Sequence, residues 1–215
     1  MPSPVKPEFG PTLPQVVAPR LAALSPGARR LVRLAALGLG ALLVAGLALF
    51  PWHRHYSHTG AVDFDLHYSR SLHRVTPDPG GFVKLEQDRR GRLVQSLAVN
   101  PVRLPAYRGL PGGELPLFAV GYIQRLAARH RDFRLISEGK TRVNTAPGYA
   151  VLYTARLGPR TLYGRDDLLV PDSPGRRDGV AIEMLATPEA NVNGTTGLGS
   201  LGPVGAVVRG FNLGS

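Results

Sequence analysis

The clearest pattern along the chain is an apolar run from Leu34 to Phe50, seventeen residues without a charge or a hydrogen-bonding side chain. As a helix this run would be about 26 Å long, at roughly 1.5 Å per residue. With its flanking residues it approaches the hydrocarbon thickness of a bilayer. We therefore expect a single transmembrane helix over residues 34–52.

The residues before this run predict how it inserts. Residues 1–33 are rich in proline and basic, which predicts a disordered tail. Arg29, Arg30 and Arg33 lie next to the apolar run, and positive charge in that position stays in the cytoplasm during insertion. We expect a cytoplasmic N-terminus, an extracytoplasmic C-terminal domain and a location in the cell membrane.

A cleaved signal peptide is the alternative interpretation of the same run. Gly46, Leu47 and Ala48 form a small-x-small site near its end. The leader and the apolar core are both long for a secretory signal, which favours an uncleaved signal anchor.

Beyond residue 60 the hydrophobic pattern changes to strand periodicity. Residues 62–68 alternate apolar and polar side chains, which is typical of a strand with one buried face. Further strands are predicted at residues 72–75, 82–87, 92–100, 133–137, 141–144, 149–157, 160–170 and 180–187. Residues 114–130 are the only long helical candidate, with apolar side chains recurring at three and four residues. The predicted fold class is α+β, one antiparallel sheet of about six or seven strands packed against one main helix, preceded by the single transmembrane helix.

Between the span and this domain, residues 53–60 are predicted to be a juxtamembrane linker and residues 61–213 the folded domain. Arg33, Trp52 and Tyr56 are predicted to lie at the membrane interface, where basic and aromatic side chains concentrate.

Three histidines at positions 53, 55 and 58 raise the question of a metal site. No carboxylate lies among them and their spacing fits neither a helix face nor a strand face, so we favour a solvated linker.

Composition narrows the range of partners. The 215 residues include no cysteine, which excludes disulfides, thiolate zinc sites and a lipid-modified cysteine. There are 26 Lys and Arg against 15 Asp and Glu, a net charge of +11. Such a surplus favours anionic partners such as membrane lipid, an envelope protein or an anionic polymer. Nucleic acid is not expected, because the basic helix end lacks exposed stacking aromatics and the domain is predicted to face outward.

The order of elements resembles the PsbP-like fold. The residues that carry the resemblance are Phe64, Tyr68, Gly91, the helix from Leu115 to Leu126, Glu138, Gly139, Gly148, Tyr149 and Phe211. The resemblance covers most of residues 61–213 and includes no catalytic signature. The family includes extrinsic photosystem II subunits, Ran-binding relatives and secreted or membrane-tethered actinobacterial proteins. It implies a non-enzymatic binding or assembly factor, here similar to the actinobacterial group, with a helix in place of a lipid-modified cysteine.

One cluster, Arg160 with Tyr163 and Arg165, is a candidate contact for an anion or a partner, because Arg offers a planar fork to carboxylate or phosphate. The alternative is that Arg165 pairs with Asp166 or Asp167. A literal G-x-G-x-x-G at residues 197–202 lies too near the C-terminus for a dinucleotide-binding unit.

No catalytic, cofactor-binding or metal-ligating residues are predicted. We expect a membrane-anchored protein with an extracytoplasmic, non-catalytic binding or assembly domain. The alternatives are a cell-envelope hydrolase or transferase with an unrecognised site, and a purely structural membrane tether. A deep pocket with converging titratable groups would favour the enzyme, and a shallow concave face lined by Arg and Tyr would favour binding.

Overall fold

A computed structural model describes residues 54–214 and the isolated positions 25, 27, 35 and 38. The chain divides into two units at residues 50 and 51, and all elements given below belong to the second unit. Apart from those four positions, the predicted tail and span lie outside the described residues, as do Arg33 and Trp52. Among the described residues, no helix has both the length and the apolar character needed to cross a membrane.

The larger sheet is built from seven strands. They are β3 (His73–Val75), β4 (Val83–Arg89), β5 (Arg92–Arg103), β6 (Arg134–Val143), β7 (Ala146–Leu157), β8 (Arg160–Leu169) and β9 (Asp178–Ala186). Their order is β3-β4-β5-β9-β8-β7-β6, and every neighbouring pair is antiparallel. The predicted antiparallel sheet is confirmed. Strand β6 is continuous where the pattern predicted two strands.

A second sheet is a correction to the sequence prediction. Its strands are β1 (Arg54–His58), β2 (Phe64–Tyr68) and β10 (Asn212–Leu213), in the order β1-β2-β10. Strand β1 occupies residues assigned to the linker, so the folded domain begins earlier than predicted. Its side chains are mostly exposed, and backbone pairing with β2 holds it. An edge strand of this kind has no apolar alternation that a sequence pattern can detect.

The main helix, α1 (Pro111–Arg129), begins three residues before the predicted start at Glu114. Pro111 fits the first turn because its missing N–H has no helical acceptor there. Leu115, Ala119 and Leu126 form the buried stripe that packs on the sheet. Two shorter helices, α2 (Gly194–Gly197) and α3 (Gly202–Arg209), follow β9.

Hydrophobic side chains bury both faces of the large sheet. Along β9, Ala181 contributes to the core beneath α1, whereas Val180 and Ile182 contribute to the core on the opposite face. That second core also contains Phe64 from the small sheet and Val207 from α3. The large sheet therefore lies between α1 on one face and the small sheet with α3 on the other.

Candidate functional site

A pocket lies where one edge of α1 meets strand β9. It is lined by Tyr122, Arg125, Leu126 and Arg129 from the helix and by Glu183 from the strand, and its volume is about 260 Å³. The helical residues recur at three and four positions, so they share one side of α1. The pocket therefore combines two guanidinium groups, a phenol and a carboxylate.

Below the pocket, two acidic residues face each other across the sheet. Asp166 on β8 pairs in register with Glu183 on β9, and both belong to the face covered by α1. The hydroxyl of Tyr122 lies 2.9 Å from Asp166 Oδ2 and 3.1 Å from Glu183 Oε1. The side chain of Asp166 is fully buried, whereas that of Glu183 is 13% exposed. Tyr122 thus joins the two carboxyl groups at the floor of the pocket.

The number of protons available for hydrogen bonding limits the charge that these two acids can carry together. A phenol carries one proton, so Tyr122 can donate to only one of the two carboxyl groups. Burial, and then the negative charge of Glu183, raises the pKa of Asp166 well above its usual value. The Tyr122 hydroxyl therefore donates to one carboxyl group at a time, and the raised pKa of Asp166 favours the neutral form of that buried acid beside Glu183.

Tyr153 extends this network beneath α1. Its hydroxyl lies 3.4 Å from Asp166 Oδ1 and 3.5 Å from His130 Nε2. Its ring lies over Gly164, where a Cβ atom would come within 2.2 Å of the ring. Glycine at position 164 thus makes the ring position possible. Burial, together with the charge of Arg129, lowers the pKa of His130, so its ring is neutral at pH 7.

The two arginines of the pocket differ in their partners. Arg129 donates to Glu183 Oε2 over 3.1 Å and neutralises that carboxylate. The guanidinium of Arg125 lies 5.6 Å from the ring centroid of Phe118 and 5.7 Å from that of Tyr122, within cation–π range. Among the described residues, no carboxylate lies within ion-pair distance of Arg125. Its positive charge is therefore available at the pocket.

This arrangement is better suited to holding a ligand than to reacting with one. None of the five lining residues is a serine, threonine, cysteine or histidine, so the lining offers none of the usual hydroxyl, thiol or imidazole nucleophiles. Asp166 is fully buried, out of reach of a bound molecule. Glu183 is already engaged by Tyr122 and Arg129. The titratable groups that converge here are engaged in hydrogen bonds and an ion pair with one another.

The structure does not bring the predicted cluster on β8 to one surface. By strand alternation Arg160 lies on the face of Leu162, beneath α1, whereas Tyr163 lies against the opposite core. Arg160 donates to the Leu93 carbonyl over 3.0 Å and lies 3.7 Å from Glu189.

Arg165 lies on the same face as Tyr163 and is largely engaged by the protein itself. Its Nε donates to both carboxylate oxygens of Asp167, over 3.1 and 3.2 Å, and its terminal nitrogens donate to the Leu198 carbonyl and to Thr141. Pairing of Arg165 with Asp167, the alternative considered from the sequence, is what the structure shows.

Tyr56, predicted at the membrane interface, contributes to the folded domain. Its hydroxyl donates to the Phe82 carbonyl over 3.1 Å and its ring packs against the core. The described histidines near it are dispersed, since His55 lies 3.8 Å from Asp65 and His58 stacks on Phe64.

Within the part of the chain that the structure describes, a group of potential metal ligands lies elsewhere, where His73, Glu86 and Asp88 place ligand atoms within 4.8 Å of one another. Lys84 lies 3.1 Å from Glu86, and His73 lies 3.4 Å from Asp88. An ion pair within β4 and a contact between His73 on β3 and Asp88 on β4 account for this cluster.

Comparison with known proteins rests on structure. No protein-family model matches the chain, and no curated protein matches it in sequence. The solution structure of CyanoP, the cyanobacterial PsbP of Synechocystis, matches with a TM-score of 0.51 at 14% identity, covering 75% of this chain and 92% of CyanoP. The domain has the PsbP-like fold. LpqN, involved in cell envelope biogenesis of Mycobacterium tuberculosis, matches with a TM-score of 0.53 at 8% identity, covering 76% of this chain and 92% of LpqN.

Sequence reasoning missed the pocket of this PsbP-like domain, although one signal was present. Glu183 interrupts the otherwise apolar strand from Val180 to Ala186, and an isolated acid in such a strand indicates a buried polar contact. Asp166 was considered only as a partner of Arg165. The partner that explains both acids, Tyr122, was assigned to the hydrophobic stripe of the helix.

Proposed function

We propose that this chain is a single-pass membrane protein whose PsbP-like domain is held outside the cytoplasm and binds an envelope protein or an anionic polymer without catalysing a reaction. The pocket between α1 and β9 is the proposed binding site. The observation that carries the proposal is that Asp166, Tyr122 and Glu183 are hydrogen-bonded to one another. Among the described residues, Arg125 has no carboxylate within ion-pair distance. Such a site offers a fixed charge for recognition rather than a reactive group.

Two further observations support the cellular setting. The apolar run at residues 34–50 follows three arginines, the arrangement of a signal anchor. LpqN, which shares the fold, is involved in cell envelope biogenesis. The resemblance in fold makes an envelope role the natural one to test.

A cell-envelope hydrolase or transferase is the second candidate. The adjacent carboxyl groups of Asp166 and Glu183, with the pKa of Asp166 raised, are a pattern also found in acid–base catalysis. We rank this function lower because Asp166 is fully buried.

The absence of cysteine provides a direct test of topology. A single cysteine at the exposed Ser173 is expected to react with a membrane-impermeant maleimide in intact cells. A cysteine at Ser3, in the predicted cytoplasmic tail, is the matched control and should react only after lysis. Labelling of Ser3→Cys but not Ser173→Cys in intact cells would reverse the orientation, and labelling of neither before lysis would contradict an extracytoplasmic domain.

A further inference from the structure

The charge of the pocket identifies the kind of group it receives. Glu183 and Arg129 form an ion pair of 3.1 Å, so their charges cancel at the pocket wall. Asp166 is fully buried and is not among the residues that line the pocket. What remains is the positive charge of Arg125, which has no carboxylate within ion-pair distance among the described residues. The pocket is a local centre of positive charge enclosed by protein on one side.

The exposed side chain of Arg125 rests on aromatic rings of its own helix. Its guanidinium lies over the rings of Phe118 and Tyr122 at 5.6 and 5.7 Å. Stacking on aromatic faces leaves the N–H edge of a guanidinium open to an acceptor. These contacts reduce the conformational cost of ordering the arginine when a ligand binds.

A second guanidinium faces the same space. Arg129 follows Arg125 by four residues, so both lie on one side of α1. Arg129 has one described hydrogen bond, from Nη2 to Glu183, whereas a guanidinium carries five N–H donors. Two arginines one helical turn apart can donate to the oxygens of one compact anion.

We infer that this pocket selects a compact anionic group, a carboxylate or a phosphate, which Arg125 holds as the principal contact and Arg129 as the secondary one. The inference rests on the proposed binding function and names the chemistry of its ligand. The volume of about 260 Å³ admits a single headgroup or acidic side chain and excludes a whole polymer chain. Leu126 provides the apolar wall against which the carbon skeleton of that group would rest.

Three probes that share a carbon skeleton test this inference. Glycerol 3-phosphate, glycerate and glycerol are titrated into the full-length protein in a non-ionic detergent, and the side-chain Nε resonances of arginine are followed by NMR. At least one of the two anions is expected to bind saturably, and glycerol is not. The anion that binds more tightly distinguishes phosphate from carboxylate recognition.

Variants of the same protein identify the contact. Arg125→Gln is expected to weaken anion binding at least tenfold, and Arg125→Lys is expected to weaken it less, because the charge remains while the planar fork is lost. Arg92→Gln, an exposed arginine at the β4–β5 turn, is the matched control and should leave affinity unchanged. Equal binding of glycerol, no binding of either anion, or equal affinity in Arg125→Gln would overturn the inference. Capture of an envelope partner that persists in Arg125→Gln would overturn it while leaving intact a binding role of the domain through another surface.

Discussion

Asp166 and Glu183 lie directly opposite each other on adjacent strands, and the single hydroxyl of Tyr122 lies within hydrogen-bond distance of both carboxyl groups. Like charges in this position repel when both are ionised. Two features relieve this repulsion: burial and the charge of Glu183 raise the pKa of Asp166, which favours its neutral form, and Arg129 forms an ion pair with Glu183.

Replacing the buried acid tests its protonation. In the unfolded chain Asp166 ionises at about pH 3.9, whereas in the folded protein its pKa is raised by burial and by Glu183. Its stabilising contribution is therefore complete below about pH 4 and declines as the pH rises toward the folded pKa, by up to about 1.4 kcal/mol per pH unit. We expect Asp166→Asn to remove this decline and to be more stable than the wild type at pH 8.

Urea unfolding of the full-length protein in detergent, measured between pH 4 and pH 9, checks this expectation. Asp172→Asn, at an exposed position, is the control and should keep the wild-type pH dependence. If Asp166→Asn shows the same pH dependence as the wild type, Asp166 is not the protonated group.

The contact between Tyr153 and Gly164 predicts a steric effect. A methyl group at position 164 would lie 2.2 Å from the ring of Tyr153, so Gly164→Ala must displace that ring and its contact with Asp166. We expect a loss of about 1–3 kcal/mol in the free energy of unfolding, the usual cost of overpacking. Gly139→Ala is the matched control within a strand, because no atom lies within 4 Å of its Cβ position. A loss in Gly164→Ala no larger than in Gly139→Ala would contradict the packing described.

A double-mutant cycle measures the ion pair that neutralises Glu183. Arg129→Gln, Glu183→Gln and the double variant should give a coupling energy of about 1 kcal/mol, reduced from that of a buried pair because the side chain of Arg129 is 47% exposed. The pair of Arg156 and Asp132, 3.9 Å apart with side chains 46% and 67% exposed, serves as the comparison and should couple near zero. Equal coupling in both pairs would show that Glu183 gains nothing from its partial burial.

Much of the fold could be predicted because its strands and main helix carry clear hydrophobic patterns. The alternation along β7, the apolar run of β9 and the apolar stripe of α1 correspond to the elements observed. Strand β1 could not be found in this way, because its side chains are largely exposed and pairing with β2 holds it by backbone hydrogen bonds. A pattern of side-chain hydrophobicity contains no information about such pairing.

The pocket was harder to predict from the sequence, for a different physical reason. Its members come from positions 122 to 183, and only the register of β8 against β9 and the placement of α1 bring them together. The density of charge along the sequence predicted a candidate contact at Arg160, Tyr163 and Arg165. Because side chains alternate along a strand, these three residues lie on two different faces of the sheet. The Arg165–Asp167 contact was predictable because two residues on one strand face are always neighbours.

Site-specific photo-crosslinking tests most directly whether the α1 pocket is the surface through which the domain binds. A photoreactive residue replaces Ala128, exposed on α1 and about 60° around the helix from Arg125, and in a control it replaces Ala127, about 160° from Arg125. In native membranes we expect a discrete adduct from position 128 that is absent from position 127 and is lost when Arg125→Gln is added. The same adduct from both positions, or an adduct at 128 that persists in Arg125→Gln, would contradict a binding site at this pocket.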